Sequence, residues 1–397
     1  MRFPSEWYQM HQSIAQYFPN LRPAQQRGLT LWAYGAILAQ SATQSAVITA
    51  LLALGRANTV RQYLREWLCD GADKAAPCKT EIDVSCCFAP LLRWVLSWWQ
   101  GKQLALAIDA TMHGDKVAAL VVSVLYRGCA IPVAWRILPA NKKSPWIEAL
   151  MALLTSLAPA VGHDLEVVVM TDRGLWSPRL WNTIRGLGWH PLMRLKRNTV
   201  FQPLGGCRNQ ALHLVPGPGH AWMGPGTAFK AKGVQRSGTL IVMWDEDQKE
   251  PWVLLTDLPV HRDAVAWYGL RFWIELGFRA LKGVGLHWDR TRRTDPHRVA
   301  RHWLTLSVAT LWILAYGTRL EQAEAAGCEP SRLRRSIPDT RKPRLVSVFA
   351  RGLEGMKQRL LRSGLWRCLW LTPEPWPTAS ATLKVVLHQP TIPEVIL

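Results

Sequence analysis

Hydrophobic positions in the first hundred residues recur without the strict alternation of a strand. The runs LTLWAYGAILAQ (29–40) and SAVITALLALG (45–55) predict two helices, with Gly55 as the stop signal. A third helix is predicted from Asn58 to Leu68, capped by Asn58 or Thr59. Val60, Tyr63, Leu64, Trp67 and Leu68 fall on one face and Arg61, Gln62 and Arg65 on another.

At Gly101 the texture changes. LALAIDAT carries Asp109 at the end of its apolar run, VAALVVSVLYRG and AIPVAWRILP follow, and Arg127-Gly128 turns one into the next. A predicted helix, PWIEALMALLTSLAP, leads to LEVVVMTDRG, whose apolar run closes on Asp172. Ser177 and Pro178 supply the cap and first position of another helix, and HPLMRLKRN reads as a fifth strand. Three strands in meander, then helix–strand–helix–strand, is the order of an RNase H-like α/β domain with a mixed sheet flanked by helices. From Thr199 to Trp252 the chain is rich in Gly and Pro and carries short β runs, which predicts a β-rich insertion. Helical pattern resumes with a helix over Ala264–Lys282 and another opened by Asp295-Pro296. The expected organisation is a helical DNA-binding domain over 1–100, the first part of the core over 101–198, the insertion over 199–252, the second part of the core over 253–320 and a basic helical region over 321–397.

Charge narrows the class of partner. The formal charge is +20, which attracts polyanions, nucleic acid above all, although an Arg-rich genome alone would also raise it. The excess is uneven: Ser331–Arg367 holds eleven Arg and Lys against Asp339 and Glu354, as expected of a segment that touches phosphate. The 29–68 helices, with Arg61 and Arg65 on the last, fit a helix-turn-helix DNA reader or an ordinary helical pair with solvated charges. Most of the 22 tryptophans must pack rather than stack on bases. The eight cysteines include no C-x-x-C pair and complete no zinc pattern, so free thiols in a reducing cytoplasm are expected. Residues 28–55 lack charge over a length that could span a bilayer, but the polar centre Gln40–Ser45 predicts two buried helices and no membrane span.

Three acidic residues carry the candidate chemistry. In the predicted strand order Asp109 and Asp172 end neighbouring strands, so their carboxylates converge and need a positive charge between them. Hard divalent cations take oxygen ligands, and a pair about 4 Å apart promotes in-line displacement at phosphorus. Tyr268, Arg271, Glu275 and Lys282 fall at relative positions 0, 3, 7 and 14 of a predicted helix, which places them within a narrow arc at 3.6 residues per turn. A carboxylate, two cations and a phenol on one face suit a phosphodiester held at metal ions.

The pattern Y-x2-R-x3-E-x6-K, preceded by an Asp closing a first strand and by T-D-R-G closing a fourth, resembles the DDE transposases of bacterial insertion sequences that bear a Tyr-Arg-Glu-Lys signature. The resemblance spans about Leu104 to Gly317. It implies Asp109, Asp172 and Glu275 as the catalytic, metal-binding triad for two Mg²⁺ ions, with Mn²⁺ as a substitute. It implies Tyr268, Arg271 and Lys282 as the grip on the DNA end, Arg194, Lys196 and Arg197 as backbone contacts, and an insertion-domain Trp stacked on a flipped base. That role falls on Trp252, with Trp244 as rival and a core position as the alternative for either. The expected partner is double-stranded DNA (terminal inverted repeats and target), gripped by a homodimer in a synaptic complex at the nucleoid. The expected activity is cut-and-paste transposition, through a hairpin or by direct strand transfer. The alternatives are a structure-selective or hybrid nuclease of the same fold and a non-catalytic DNA-binding descendant of a transposase, which should have lost a carboxylate.

Overall fold

The computed structural model describes residues 3–74, 81–140, 146–326, 346–361 and 369–388. Five helices come first: α1 (Ser5–Tyr17), α2 (Pro23–Ala39), α3 (Gln44–Leu51), α4 (Ala57–Leu68) and α5 (Phe88–Ser97). The polar break at Gln40–Ser45 does split the uncharged stretch: Gln40 is left-handed (φ 48°) and ends α2. Among the described residues no helix is long and apolar enough to cross a membrane. The expected cap of α4 differs, because the helix starts earlier, at Ala57, with Arg56 at the N-cap and no side-chain cap. Asn58 and Thr59 are thereby taken into the first turn.

A mixed sheet follows. Strands β1 (Gln103–His113), β2 (Val117–Tyr126) and β3 (Cys129–Pro139) form an antiparallel meander. Arg127 and Gly128 both have positive φ (47° and 75°), the signature of a two-residue hairpin turn that follows the strand twist. After α6 (Trp146–Leu157), β4 (Glu166–Thr171) returns parallel to β1. After α7 (Pro178–Gly186), opened by Ser177 and Pro178 as expected, β5 (His190–Arg194) lies parallel to β4. β2 is buried at every position; since a strand alternates its side chains between faces, both faces there are covered.

The β-rich segment comprises β6 (Val200–Pro203), β7 (Asn209–Gln210), β8 (His220–Ala228), β9 (Arg236–Trp244) and β10 (Trp252–Thr256). It does not stand apart from the core sheet. β10 pairs antiparallel with β5, so the described strands run β3-β2-β1-β4-β5-β10-β9-β8-β6-β7 in one sheet. The helix expected over Ala264–Lys282 is split. α8 (Ala264–Trp267) gives way to a 3₁₀ turn, Tyr268–Arg271, before α9 (Phe272–Leu281). Gly269 weakens the helix there, and the tighter turn lets the buried Tyr268 reach the end of β4.

Helix α10 (Pro296–Ala325) starts at Asp295, whose side chain accepts from the Arg298 amide (2.8 Å), and is buried almost all round from Val299 to Thr318. It joins the sheet to the first helices. The Trp135 indole on β3 donates to the Ala300 carbonyl and the Trp67 indole of α4 to the Arg301 carbonyl. Arg301, 1% exposed, donates twice to the Leu68 carbonyl and pairs with Asp70 and Glu81. Of the basic C-terminal segment, 327–345 and 362–368 lie outside the described residues; α11 (Val348–Leu361) packs on α10. A last strand, β11 (Lys384–Leu387), pairs parallel with β8.

The α10–α11 contact is closed by glycine. A Cβ on Gly352 would stand 1.9 Å from the Ile313 carbonyl oxygen, and one on Gly317 2.1 Å from that of Val348. Gly352→Ala is therefore expected to cost about 1–3 kcal/mol through forced backbone separation. Urea unfolding checks this, and an unshifted midpoint would show that the two helices separate freely.

Candidate active site

The site grows from the register of two parallel strands. Ile108 on β1 pairs with Thr171 on β4, and the next residue on each chain is an aspartate. Neighbouring strands lie about 4.8 Å apart, so Asp109 and Asp172 emerge side by side. Each is partly fixed by backbone: Asp109 Oδ1 accepts from the Ala110 amide (2.8 Å), and Asp172 Oδ1 accepts from the Leu175 amide (3.1 Å), capping the turn Arg173–Leu175.

The third carboxylate arrives on α9, which packs against β1, β2 and β3. A Cβ on Gly277 would lie 2.8 Å from that of Ala130, so glycine allows the helix to rest directly on β3. Glu275, two residues earlier and so on the opposite face of that helix, is joined to Asp109 by one guanidinium. Arg271 Nη1 donates to Glu275 Oε1 and Nη2 to Asp109 Oδ2, both at 2.9 Å. The Arg271 side chain is 8% exposed, whereas Glu275 is half exposed.

Burial pushes the Asp109 carboxyl above the usual range; Arg271 opposes this, and the negative charges of Asp172 and Glu275 reinforce it. Burial tends to lower Arg271, but Tyr268, Asp109 and Glu275 together hold it above its ordinary value. Its Nε–H is buried without an acceptor, so the group has a donor to spare.

Among the described residues no three acidic, histidine or cysteine side chains are drawn together tightly enough to hold a metal ion. The charge that gathers them is Arg271. The donor set nonetheless suits a hard divalent cation: it is all carboxylate oxygen, and Asp172 Oδ2 and Glu275 Oε2 have no hydrogen-bond partner among the described residues.

The other expected contacts divide into two groups. Tyr268, 1% exposed, faces inward and its hydroxyl donates to the Thr171 carbonyl (3.1 Å), at the root of Asp172. Trp252 packs edge-on against Tyr268 (5.2 Å) and stacks on Phe272 (5.7 Å), so it lies beside the Glu275 helix. Trp244 instead closes its own hairpin, donating to the Gln248 carbonyl. The Lys282 ammonium donates to the Met112 carbonyl at the end of β1 (2.7 Å), and burial lowers its pKa. Lys196 and Arg197 are exposed and line an open cavity of about 580 Å³ together with Arg173. Arg194 and Arg173 both pair with Glu250. Arg61 and Arg65 are exposed on α4, which packs on α2, α3 and α10. Sequence reasoning missed Arg173 and Glu250. Arg173 follows Asp172 directly and could have been found that way, but the link from Glu250 to this corner is made only by the β10–β5 pairing.

A model of the family described as Transposase DDE domain matches residues 102–312, just over half of the chain. No curated protein matches it. The matched span starts one residue before β1 and ends within α10, so all three carboxylates lie inside it.

Tyr268→Phe removes the buried hydroxyl bond to the Thr171 carbonyl, which is expected to destabilise the fold by about 1 kcal/mol. A denaturation midpoint equal to that of the unsubstituted protein would mean the hydroxyl is not needed there.

Proposed function

The chain belongs to the family of transposase DDE domains, and on that premise we propose that Asp109, Asp172 and Glu275 are its catalytic carboxylates, acting on double-stranded DNA in cut-and-paste transposition of the Tyr-Arg-Glu-Lys group. The observation that carries the reading is that one guanidinium touches Asp109 and Glu275, 166 positions apart in the chain, while strand register sets Asp172 beside Asp109. Three carboxylates collected at the end of a sheet have no purpose in stability, since like charges at short range are costly.

Asp109, Asp172 and Glu275 would hold divalent cations, Mg²⁺ by this reading, which when bound supply Lewis acidity to a phosphodiester and activate the attacking oxygen. The chain's own residues do the positioning. Arg271, released from Asp109, presents a fork to phosphate oxygens and already carries an unused N–H. Tyr268 acts from behind, fixing the end of β4 and so the aim of Asp172. Lys282, held at the end of β1, gives a point charge for the DNA strand, and Arg173, Lys196 and Arg197 offer a basic cradle for the backbone next to Asp172. Trp252 with Phe272 forms the aromatic platform at the Glu275 helix on which an unstacked base can rest. Water serves as nucleophile for the first cut and a DNA 3′-hydroxyl for the transfer. Two copies act together on paired ends, with Arg61 and Arg65 of the first helices on flanking duplex.

The test is cleavage of duplexes that carry the inverted repeats bounding the coding segment, with Mg²⁺, with Mn²⁺ and with chelator. Cleavage is expected with either metal and not with chelator. Glu275→Gln should lower the cleavage rate by at least about 10³-fold while end binding stays within a few fold. Substantial cleavage by that variant would remove Glu275 from the catalytic set.

Lys282→Ala should flatten the plot of log binding constant against log salt by about 0.9, the loss being greatest at low salt, where a phosphate contact releases most free energy. A slope identical to that of the unsubstituted chain would assign Lys282 to the Met112 carbonyl alone.

A further inference from the structure

A second site is built far from the carboxylates in sequence, on the first helices. A cavity of about 360 Å³, within the size range of small-molecule sites, opens between α1, α2 and α4. One wall is a column of rings: Phe3 stacks on Trp7 (centroids 3.9 Å, planes 14° apart) and Trp7 on His11 (4.7 Å, 19°). Tyr8 stands edge-on to Trp7 at 5.2 Å and is 48% exposed, so this aromatic cluster does not close on itself as a core would. Opposite, Arg27 of α2 lies over the Tyr63 ring of α4 at 5.8 Å and donates to its hydroxyl at 3.1 Å.

The electrostatics favour an anion. Among the described residues the cavity lining contains no Asp or Glu. Arg27 is oriented by a tyrosine, and among the described residues it has no carboxylate partner, so its charge is held in place without being neutralised. Burial and the nearby Arg27 keep His11 below its ordinary value; with Nδ1 at the Thr30 hydroxyl (3.0 Å), it offers a neutral flat ring. The exposed Thr59 hydroxyl adds a further polar group at the rim.

We propose that this cavity binds a nucleotide, the base against the exposed rings and the phosphate on Arg27. Flat aromatic faces beside a single pre-oriented guanidinium match a planar heterocycle joined to an anion. The nucleotide is either free or an unstacked unit of a DNA strand; the second source rests on the DNA-binding reading above, the first does not. Among the described residues no lining residue belongs to the sheet or to α9.

The experiment measures binding of dAMP by calorimetry and of a labelled single-stranded dodecamer by anisotropy, both in chelator so that the carboxylate site is not engaged. The full chain is compared with Arg27→Gln and Tyr8→Ala, each accepted only at an unchanged melting midpoint. Arg27→Gln and Tyr8→Ala are expected to weaken binding by about tenfold each, the scale of one lost stacking or phosphate contact. Loss with both ligands identifies a pocket open to free nucleotide, and loss with the dodecamer alone identifies a strand contact. The proposal is overturned if the unsubstituted chain binds neither ligand, or if neither Arg27→Gln nor Tyr8→Ala changes the affinity. A failed cleavage assay leaves the dAMP measurement intact, so the two readings fall separately.

Discussion

Negative charges cannot be gathered at one end of a sheet unless a positive one stands among them. Two unit charges 4 Å apart interact by about 4 kcal/mol at an effective dielectric constant near 20, comparable to a large share of a domain's net stability. In this protein Arg271 meets that constraint, touching Asp109 and Glu275 at once while its stem is buried. The shape of the surrounding structure follows from holding that guanidinium in place. The 3₁₀ turn Tyr268–Arg271 brings the arginine inward, Tyr268 anchors that turn to the end of β4, and Gly277 lets α9 lie flat enough for Glu275 to reach the same point.

A buried arginine between carboxylates is also a tense arrangement, because burial raises Asp109 while its neighbours add more negative charge. Breaking one partner of such a group leaves an uncompensated charge, whereas replacing the guanidinium by another cation does not. The side chain that holds the site together keeps one buried N–H, its Nε–H, without an acceptor. Around this point the basic side chains are graded: Arg271 in contact, Lys282 tied to the adjoining strand, and Arg173, Lys196 and Arg197 open to solvent.

The support is continuous. β10 fuses the β-rich segment to the core sheet, and α10 ties the sheet to the first helices through Trp135, Trp67 and Arg301. The aromatic cavity on α1, α2 and α4 therefore belongs to the same connected body as the carboxylates, although it shares no residue with them. A chain with a formal charge of +20 thus carries, besides its carboxylate cluster, a cavity of ring faces with one arginine.

Local signals in the sequence were enough for much of this. Alternation and apolar runs determined β1 to β5, Arg127-Gly128 the hairpin, and Ser177-Pro178 and Asp295-Pro296 the starts of α7 and α10, because turns and caps are satisfied by residues next to one another. The same signals named Asp109, Asp172 and Glu275, since the ends of apolar runs and a four-residue helical spacing are written along the chain; yet Asp109 does not close its strand as expected, because β1 runs on to His113 in pairing with β2. What only the tertiary structure decided is how those residues are used. Sequence spacing put Tyr268 on the DNA-facing side, yet packing turned it inward onto Thr171; it gave Arg271 to phosphate, yet the fold first sets it between two carboxylates. Nor could it join β10 to β5 or bring Arg27 over Tyr63. These are contacts between distant segments, fixed by which surfaces must be buried against each other, and a one-dimensional pattern carries the propensity of each surface but not its partner.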